Sequence, residues 1–307
     1  MIHGVINIYK EKGYTSHDVV AKLRGIVGQK KIGHTGTLDP DAQGVLPVCL
    51  GKGTKLCDLL TDKDKTYEAV MLLGVSTDSQ DTSGTVLEEK STDMLTEEVV
   101  RQAIMSFVGE YDQVPPMFSA LKVNGKKLYE LAREGIEVER KARRVHIHEI
   151  RILEMNLPRV RMEVSCSKGT YIRTLCHDIG QMLGTGGCME ELLRTKVDRF
   201  DIKDSIRLDE VREHRENGTL GNYIITVDEM FPSYKELYLT SNAASAVRHG
   251  NMFRVKDILS MDEDAIFADK EQVLVYDEKK NFIAIYKYKS KEKMFKIVKM
   301  FFDGNEK

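Results

Sequence analysis

Gly33-His34-Thr35-Gly36-Thr37-Leu38-Asp39-Pro40-Asp41-Ala42-Gln43-Gly44-Val45-Leu46-Pro47 sets three glycines and two prolines in fifteen residues. Glycine costs about 1 kcal/mol and proline about 3 kcal/mol in a helix interior, so the stretch reads as a turn-rich loop. Asp39 stands directly before Pro40, whose ring clashes with the preceding residue and drives Asp39 into an extended conformation. Its carboxylate is thereby held at a defined angle. An Asx-turn, in which the side chain only bonds its own backbone, is the plain alternative. What flanks the loop decides between the two.

Upstream, Val5, Ile6 and Ile8 form a short apolar strand. Thr15-Ser16-His17-Asp18 then fits a helix-capping box, and Val19, Val20, Leu23, Ile26 and Val27 fall on one helical face stopped by Gly28. Downstream, Val45 to Leu50 reads as a buried strand. Gly51-Lys52-Gly53-Thr54-Lys55 lacks the spacing of a phosphate-binding loop, because Gly44 lies seven residues before Gly51 and Lys52 precedes a glycine. A strand follows with Tyr67, Ala69, Met71 and Leu73 on one face; a core aromatic is the plain reading of Tyr67. The polar run Val75 to Thr85, with Asp78, Asp81 and Gly84, reads as a solvated connection. Val100, Ile104, Phe107 and Val108 predict a helix ended by Gly109.

Residues 111 to 144 change character. Between Lys122 and Arg144 there are eight Lys or Arg against four Glu, with Phe118 and Tyr129 nearby. This resembles a nucleic-acid footprint, with a solvated charged helix as the alternative. Pro115-Pro116 and Gly125 mark it as an excursion from the main domain. Val145 to Met155 and Val160 to Cys166 read as two strands; His146 and His148 share a face but no third metal ligand is near. Ser167 to Thr174 leads into a helix with Ile172, Leu175, Cys176, Ile179, Met182 and Leu183 on its apolar face. Arg173 sits in the first turn, where a cation opposes the helix dipole, so an ion pair with a buried carboxylate is expected. Cys176-His177-Asp178 is no triad, since consecutive helical residues diverge by about 100°. After Phe231-Pro232 a boundary is expected. Short β-like runs follow, and six lysines against one glutamate between Lys287 and Lys299 mark either an RNA-facing edge or a plain stability module.

Composition excludes several classes. With 307 residues, 41% hydrophobic and 31% charged, the chain fits a soluble protein of one large and one small domain. No apolar run approaches a membrane span and no signal peptide opens the chain, so a cytoplasmic location is expected. Cysteines 49, 57, 166, 176 and 188 contain no C-x-x-C pair, which argues against a zinc site or disulfide framework.

The Gly33 to Pro47 loop, Lys65-Thr66-Tyr67, Ser167 to Arg173, Leu193-Arg194-Thr195, Pro116 to Lys122 and Gly125-Lys126-Lys127-Leu128-Tyr129 together resemble the bacterial TruB family of tRNA pseudouridine-55 synthases. The resemblance is collinear over about residues 3 to 200. It implies an α+β fold, a mixed, largely antiparallel sheet flanked by helices, in residues 1–230, with an RNA-gripping thumb at about 111–144. A small β-rich PUA-like module would occupy 231–307. It implies a cytoplasmic monomer that isomerises uridine 55 in the tRNA T-arm, with no metal, no cofactor and no obligatory protein partner.

By the same resemblance Asp39 is the essential aspartate, attacking the ribose or the base or assisting glycal formation. Arg173 would keep it ionised and aimed, and Tyr67 would stack on the target base and move a proton. His34 would fill the space left by a flipped uridine. Tyr171, Leu193 and Lys10 match further pocket positions, and Lys126, Lys127, Arg143 and Arg144 would hold RNA. The chain departs from the family at Glu11, where proline is usual, at Asp41, where leucine is common, and at Asp198, where glycine is usual. The competing expectations are a non-catalytic RNA-binding or tRNA-folding protein that keeps the fold, a guide-dependent isomerase lacking the long thumb, and a glycosidase, which would want a second carboxylate. Joint retention of Asp39, Tyr67 and Arg173 favours the isomerase.

Overall fold

A computed structural model describes residues 1–123, 125–260 and 266–302; residue 124 in the basic excursion and residues 261–265 and 303–307 near the C-terminus lie outside the described residues. The chain divides into two compact units, one of residues 6–48 and 56–223, the other of residues 1–5, 49–55 and 224–307.

The larger unit opens with β1 (Gly4–Lys10), whose first two residues belong to the smaller unit, then α1 (Ser16–Val27), β2 (Ile32–His34) and β3 (Gln43–Leu50). The expected capping box forms: the Thr15 side chain accepts from the Asp18 amide, the Asp18 carboxylate accepts from the Thr15 amide, and Gly28 closes the helix at φ +69°. Strand β3 begins at Gln43, so Val45 to Pro47 belong to the sheet and not to the loop. Pro47 is tolerated there because its carbonyl does the work, accepting from the Thr35 amide and hydroxyl, both at 3.2 Å.

Next come α2 (Cys57–Thr61) and β4 (Lys65–Leu73), which alternates strictly, with Lys65, Tyr67, Ala69, Met71 and Leu73 buried. After β5 (Val75–Thr77), β6 (Val86–Glu89) and α3 (Glu97–Met105), strand β7 (Gly109–Gln113) returns to the sheet. The helix therefore stops short of Gly109, which instead opens a strand at φ +106°. A hairpin of β8 (Lys122–Val123) and β9 (Lys126–Lys127) leads to α4 (Leu128–Arg133), and β10 (Arg143–Asn156), β11 (Arg159–Cys166) and α5 (Ile172–Met182) follow. Then come β12 (Gly187–Val197), β13 (Phe200–Asp201) and α6 (Leu208–Glu216).

These strands make a mixed sheet in the order β1-β3-β12-β4-β11-β10-β7. Strand β12 is parallel to β3 but antiparallel to β4, and β4, β11, β10 and β7 are successively antiparallel. Ile172, Leu175, Cys176 and Ile179 of α5 and Val100 and Ile104 of α3 pack with Ala69, Met71, Val160, Met162 and Val164 into the main core. Gln113 pairs with Arg143, so the basic excursion leaves the sheet after residue 113 and rejoins it at 143. It carries its own small core of Met117, Leu128 and Leu131.

The smaller unit contains β14 (Ile224–Ile225), β15 (Lys235–Leu239), α7 (Ser241–Val247), β16 (Phe253–Arg254), β17 (Ile258–Ser260), β18 (Gln272–Tyr276), β19 (Phe282–Lys289) and β20 (Met294–Met300). Its sheet runs β16-β20-β19-β18-β15-β17 over a core that includes Leu237, Val247, Phe253, Val275, Tyr286 and Phe295. Lys287 stands directly opposite Lys296, a like-charge pairing that weakens a sheet unless an anion relieves it. Gly51-Lys52-Gly53 is not a phosphate cradle here: a Cβ on Gly53 would lie 2.2 Å from the Gly4 carbonyl oxygen. These glycines serve close backbone packing.

Asp198 and Arg199 form the two-residue turn between Val197 and Phe200, which face each other across β12 and β13. Asp198 takes φ +50°, in the left-handed region that hairpin turns require and glycine adopts freely. Asp198→Gly is expected to raise the unfolding free energy by about 0.5 to 1 kcal/mol, the exposed contact to Lys63 at 3.7 Å adding little. Urea titration with an unchanged slope would read this; a loss of stability would contradict it.

Candidate active site

The site is built on the turn Asp39-Pro40-Asp41-Ala42, closed by the Ala42 amide donating to the Asp39 carbonyl at 3.1 Å. Because main chain closes the turn, the Asp39 side chain is not spent as an Asx-turn. The loop is pinned from behind by α1, whose Ser16 hydroxyl accepts from the Leu38 amide at 2.9 Å. Lys10 pins it from below. Its fully buried ammonium donates to the carbonyls of Pro40 at 3.1 Å, Tyr14 at 2.6 Å and Glu11 at 3.2 Å.

Asp39 and Arg173 meet across 134 residues of sequence. Nε of Arg173 lies 3.0 Å from Oδ2 of Asp39, and Nη2 donates to Oδ1 at 3.4 Å, a two-point contact that fixes the carboxylate plane. Only one partner is buried: the Arg173 side chain is 5% exposed and that of Asp39 40%. The carboxylate expected to be buried is therefore half-exposed.

Arg173 is held from its other side as well. Nη1 donates to the Ser79 carbonyl at 3.0 Å and lies 3.7 Å from Oδ2 of Asp81, while Nη2 donates to the Phe118 carbonyl at 2.8 Å. The run Val75 to Thr85 is thus no simple solvated connection. Ser76, Thr77 and Ser79 are buried, and the loop is the seat of the guanidinium. Helix α5 is aimed by Gln113, whose side chain accepts from the Tyr171 amide at 2.8 Å and donates to its carbonyl at 3.0 Å.

The remaining expected pocket residues lie in the same unit. Tyr67 is buried, and burial pushes its phenol up while Arg194 opposes this. His34 packs edge-on against His17 with ring centroids 5.2 Å apart; burial and the neighbouring His17 both push its imidazole down, towards the neutral form. Burial raises the Tyr171 phenol, with Arg143 and Arg173 opposing it. Leu193 is half-buried, opposite Gln43 and Glu68. Asp41 is exposed, and Glu11, the other departure in this region, pairs with Arg207.

The four expected RNA contacts divide. Arg144 is engaged by Asp112 at 2.8 Å and Glu110 at 3.0 Å, its neighbours on β7, and Lys126 pairs with Glu134 at 3.4 Å. Lys127 bonds the Tyr129 hydroxyl at 3.2 Å and Arg143 is exposed. One residue of the site escaped sequence reasoning. Arg194 is fully buried beneath the loop, with Nε donating to the Val45 carbonyl at 2.7 Å and Nη1 to the Thr37 carbonyl at 3.4 Å. Its only signal was an arginine directly after two leucines.

The sequence profile of the TruB family pseudouridylate synthase N-terminal domain matches residues 24–172, and that of the tRNA pseudouridylate synthase B C-terminal domain matches residues 173–231. The chain belongs to the TruB family. Curated TruB relatives include the tRNA pseudouridine synthase B of Lachnoclostridium phytofermentans, 49% identical over 98% of this chain and 100% of the relative. That of Bacillus pumilus is 42% identical over 98% of each chain. Among solved structures, a chain of an H/ACA RNP bound to a substrate RNA containing 2'-deoxyuridine is similar with a TM-score of 0.70 and 27% identity, covering 99% of this chain and 86% of that one. A chain of a Cbf5-Nop10-Gar1 complex gives 0.70 and 29%, covering 98% and 85%. The TruB fold accounts for the mixed sheet, and the C-terminal sheet is its PUA-like module.

Burial pushes the Lys10 ammonium of this TruB chain down from 10.5 to about 8, against a smaller upward pull from Asp39. The unfolded chain then holds this proton more tightly than the folded one, so the charge costs folding free energy below pH 8 and the cost is relieved as pH rises to 10.5. The unfolding free energy of the native chain minus that of Lys10→Met is expected to increase across this interval in paired urea titrations. A flat difference would exclude a buried charged Lys10.

Proposed function

We propose that this tRNA pseudouridine synthase acts on uridine 55 in the T-arm of tRNA, with Asp39 as the group that engages the nucleoside. The observation that carries the reading is the asymmetry of the ion pair: Arg173 is buried and fixed on several acceptors, while the Asp39 carboxylate it aims is 40% exposed. A held and reachable carboxylate oxygen is what a nucleophilic or ion-pairing role requires.

The isomerisation breaks N1–C1′ and forms C5–C1′; a proton leaves C5 and one is gained at N1, so no redox partner is needed. A stacked uridine cannot present C1′ to a carboxylate held in a loop of another molecule, so the nucleotide is flipped out. Tyr67 packs the base from the sheet side. His34, pushed towards the neutral form by burial and by His17, fills the gap. The excursion between β7 and β10, where the Lys127 and Arg143 side chains pair with no carboxylate among the described residues, grips the T-arm as a thumb, and the Lys287–Lys296 pair gives the PUA-like module an edge suited to RNA phosphate. With its own thumb the enzyme works as a cytoplasmic monomer and needs no protein partner.

Asp39→Asn is expected to abolish pseudouridine formation on unmodified tRNA while binding stays within about three-fold, since only one charge on the substrate-facing side is lost. Nucleotide mapping at position 55 with filter binding measures both; substantial turnover by the variant, or product at another position, would sink the assignment. In the thumb, the double change Lys127→Ala with Arg143→Ala should lower the slope of log affinity against log salt by about 1 to 2. Lys126→Ala with Arg144→Ala should lower it less, because these cations are already matched by Glu134, Glu110 and Asp112. Equal slopes for the two pairs would contradict that distinction.

A further inference from the structure

Arg194 takes no part in the chemistry proposed above, yet it is among the largest fully buried side chains of the protein. A buried charge is costly unless it is paired. Its two carbonyl partners, Val45 and Thr37, are not carboxylates. Burial accordingly pushes the Arg194 guanidinium down, and the upward influences come from Tyr67 and then Asp39.

Register does the placing. Arg194 stands directly opposite Tyr67 in the antiparallel β12–β4 pair and beside Gly44 in the parallel β12–β3 pair. Opposite residues of an antiparallel pair project from the same face, with Cβ atoms about 4.5 to 5.5 Å apart. Gly44, at φ +106°, lets β3 close on the Arg194 backbone; a Cβ there would lie 2.2 Å from the Arg194 carbonyl oxygen. Opposite Tyr67 on one face of the sheet, and held by that approach and by the Val45 carbonyl, the guanidinium is placed to act on the Tyr67 phenol and opposes its upward shift.

A guanidinium has donors only, whereas a phenol carries one proton and two acceptor lone pairs. A donation from Arg194 to this oxygen would keep the Tyr67 proton from pointing back towards it. We propose that Arg194 is a positioning residue that acts through Tyr67: its donation turns the Tyr67 O–H away from the sheet interior and makes it a stronger proton donor to the bound nucleoside. This rests on the reading that the uridine is handled between Asp39 and Tyr67. Arg173 serves the carboxylate and Arg194 the phenol, so the two arginines divide the site between them.

The test places 3,5-difluorotyrosine at position 67 and follows its fluorine resonances against pH in the full chain carrying Arg194, Arg194→Lys or Arg194→Met. The phenol titration is expected to rise by at least one pH unit with Arg194→Met and by about half a unit with Arg194→Lys, which keeps the charge but loses the planar fork. In chains with ordinary tyrosine, Arg194→Met should slow single-turnover pseudouridine formation by about 100-fold with tRNA affinity within two-fold. An unchanged titration in the folded variants overturns the proposal, and should Arg194→Met fail to fold, Arg194→Lys alone decides. Turnover by Asp39→Asn would bring down the functional reading while leaving the titration to judge Arg194 and Tyr67.

Discussion

The guanidinium of Arg173 ties together four stretches that are far apart in the chain: the Asp39 turn, the loop holding Ser79 and Asp81, the Phe118 carbonyl and α5 itself. It sits at the end of the helix where the dipole is positive, so nothing local favours it. Left unpaired, a cation buried to this degree would cost several kcal/mol, and each acceptor is needed to offset that cost. The position of the carboxylate, the path of the polar loop and the take-off of the basic excursion are therefore one constraint seen from three sides.

Around that pair the site is rich in cations. Lys10 and Arg194 are buried on backbone carbonyls, and of the two carboxylates near Arg173, Asp39 is half-exposed and Asp81 mostly covered. Fixed donors and charges in a place poor in water stabilise developing negative charge more strongly than they would in solvent. The depressed Lys10 ammonium records the strain of keeping such charges indoors.

How far the sequence disclosed this depended on whether the signal was local. Helix α1 was readable from end to end, because its capping box and Gly28 lie within the segment they define. Strand β4 was readable because burial on one face forces strict alternation. Arg173 announced itself by violating the helix dipole. The Val75 to Thr85 loop did not, since its polar residues look solvated and only the tertiary approach of α5 turns its carbonyls inward. Arg194 was hidden for the same reason: register across β12 and β4, not any neighbour in sequence, places it under Tyr67. The charge of the excursion was visible, but the matching of Arg144 by two β7 carboxylates follows from strand pairing alone.

One bond in this arrangement spans two roles. The Phe118 carbonyl belongs to the root of the excursion, yet it is an acceptor for the same Nη2 that contacts Asp39. If the excursion holds RNA as proposed, a shift of its root would change what Arg173 shares, and with it how firmly the carboxylate is aimed. On the proposed function, the hold on the substrate and the aim of the Asp39 carboxylate would thus share a single nitrogen.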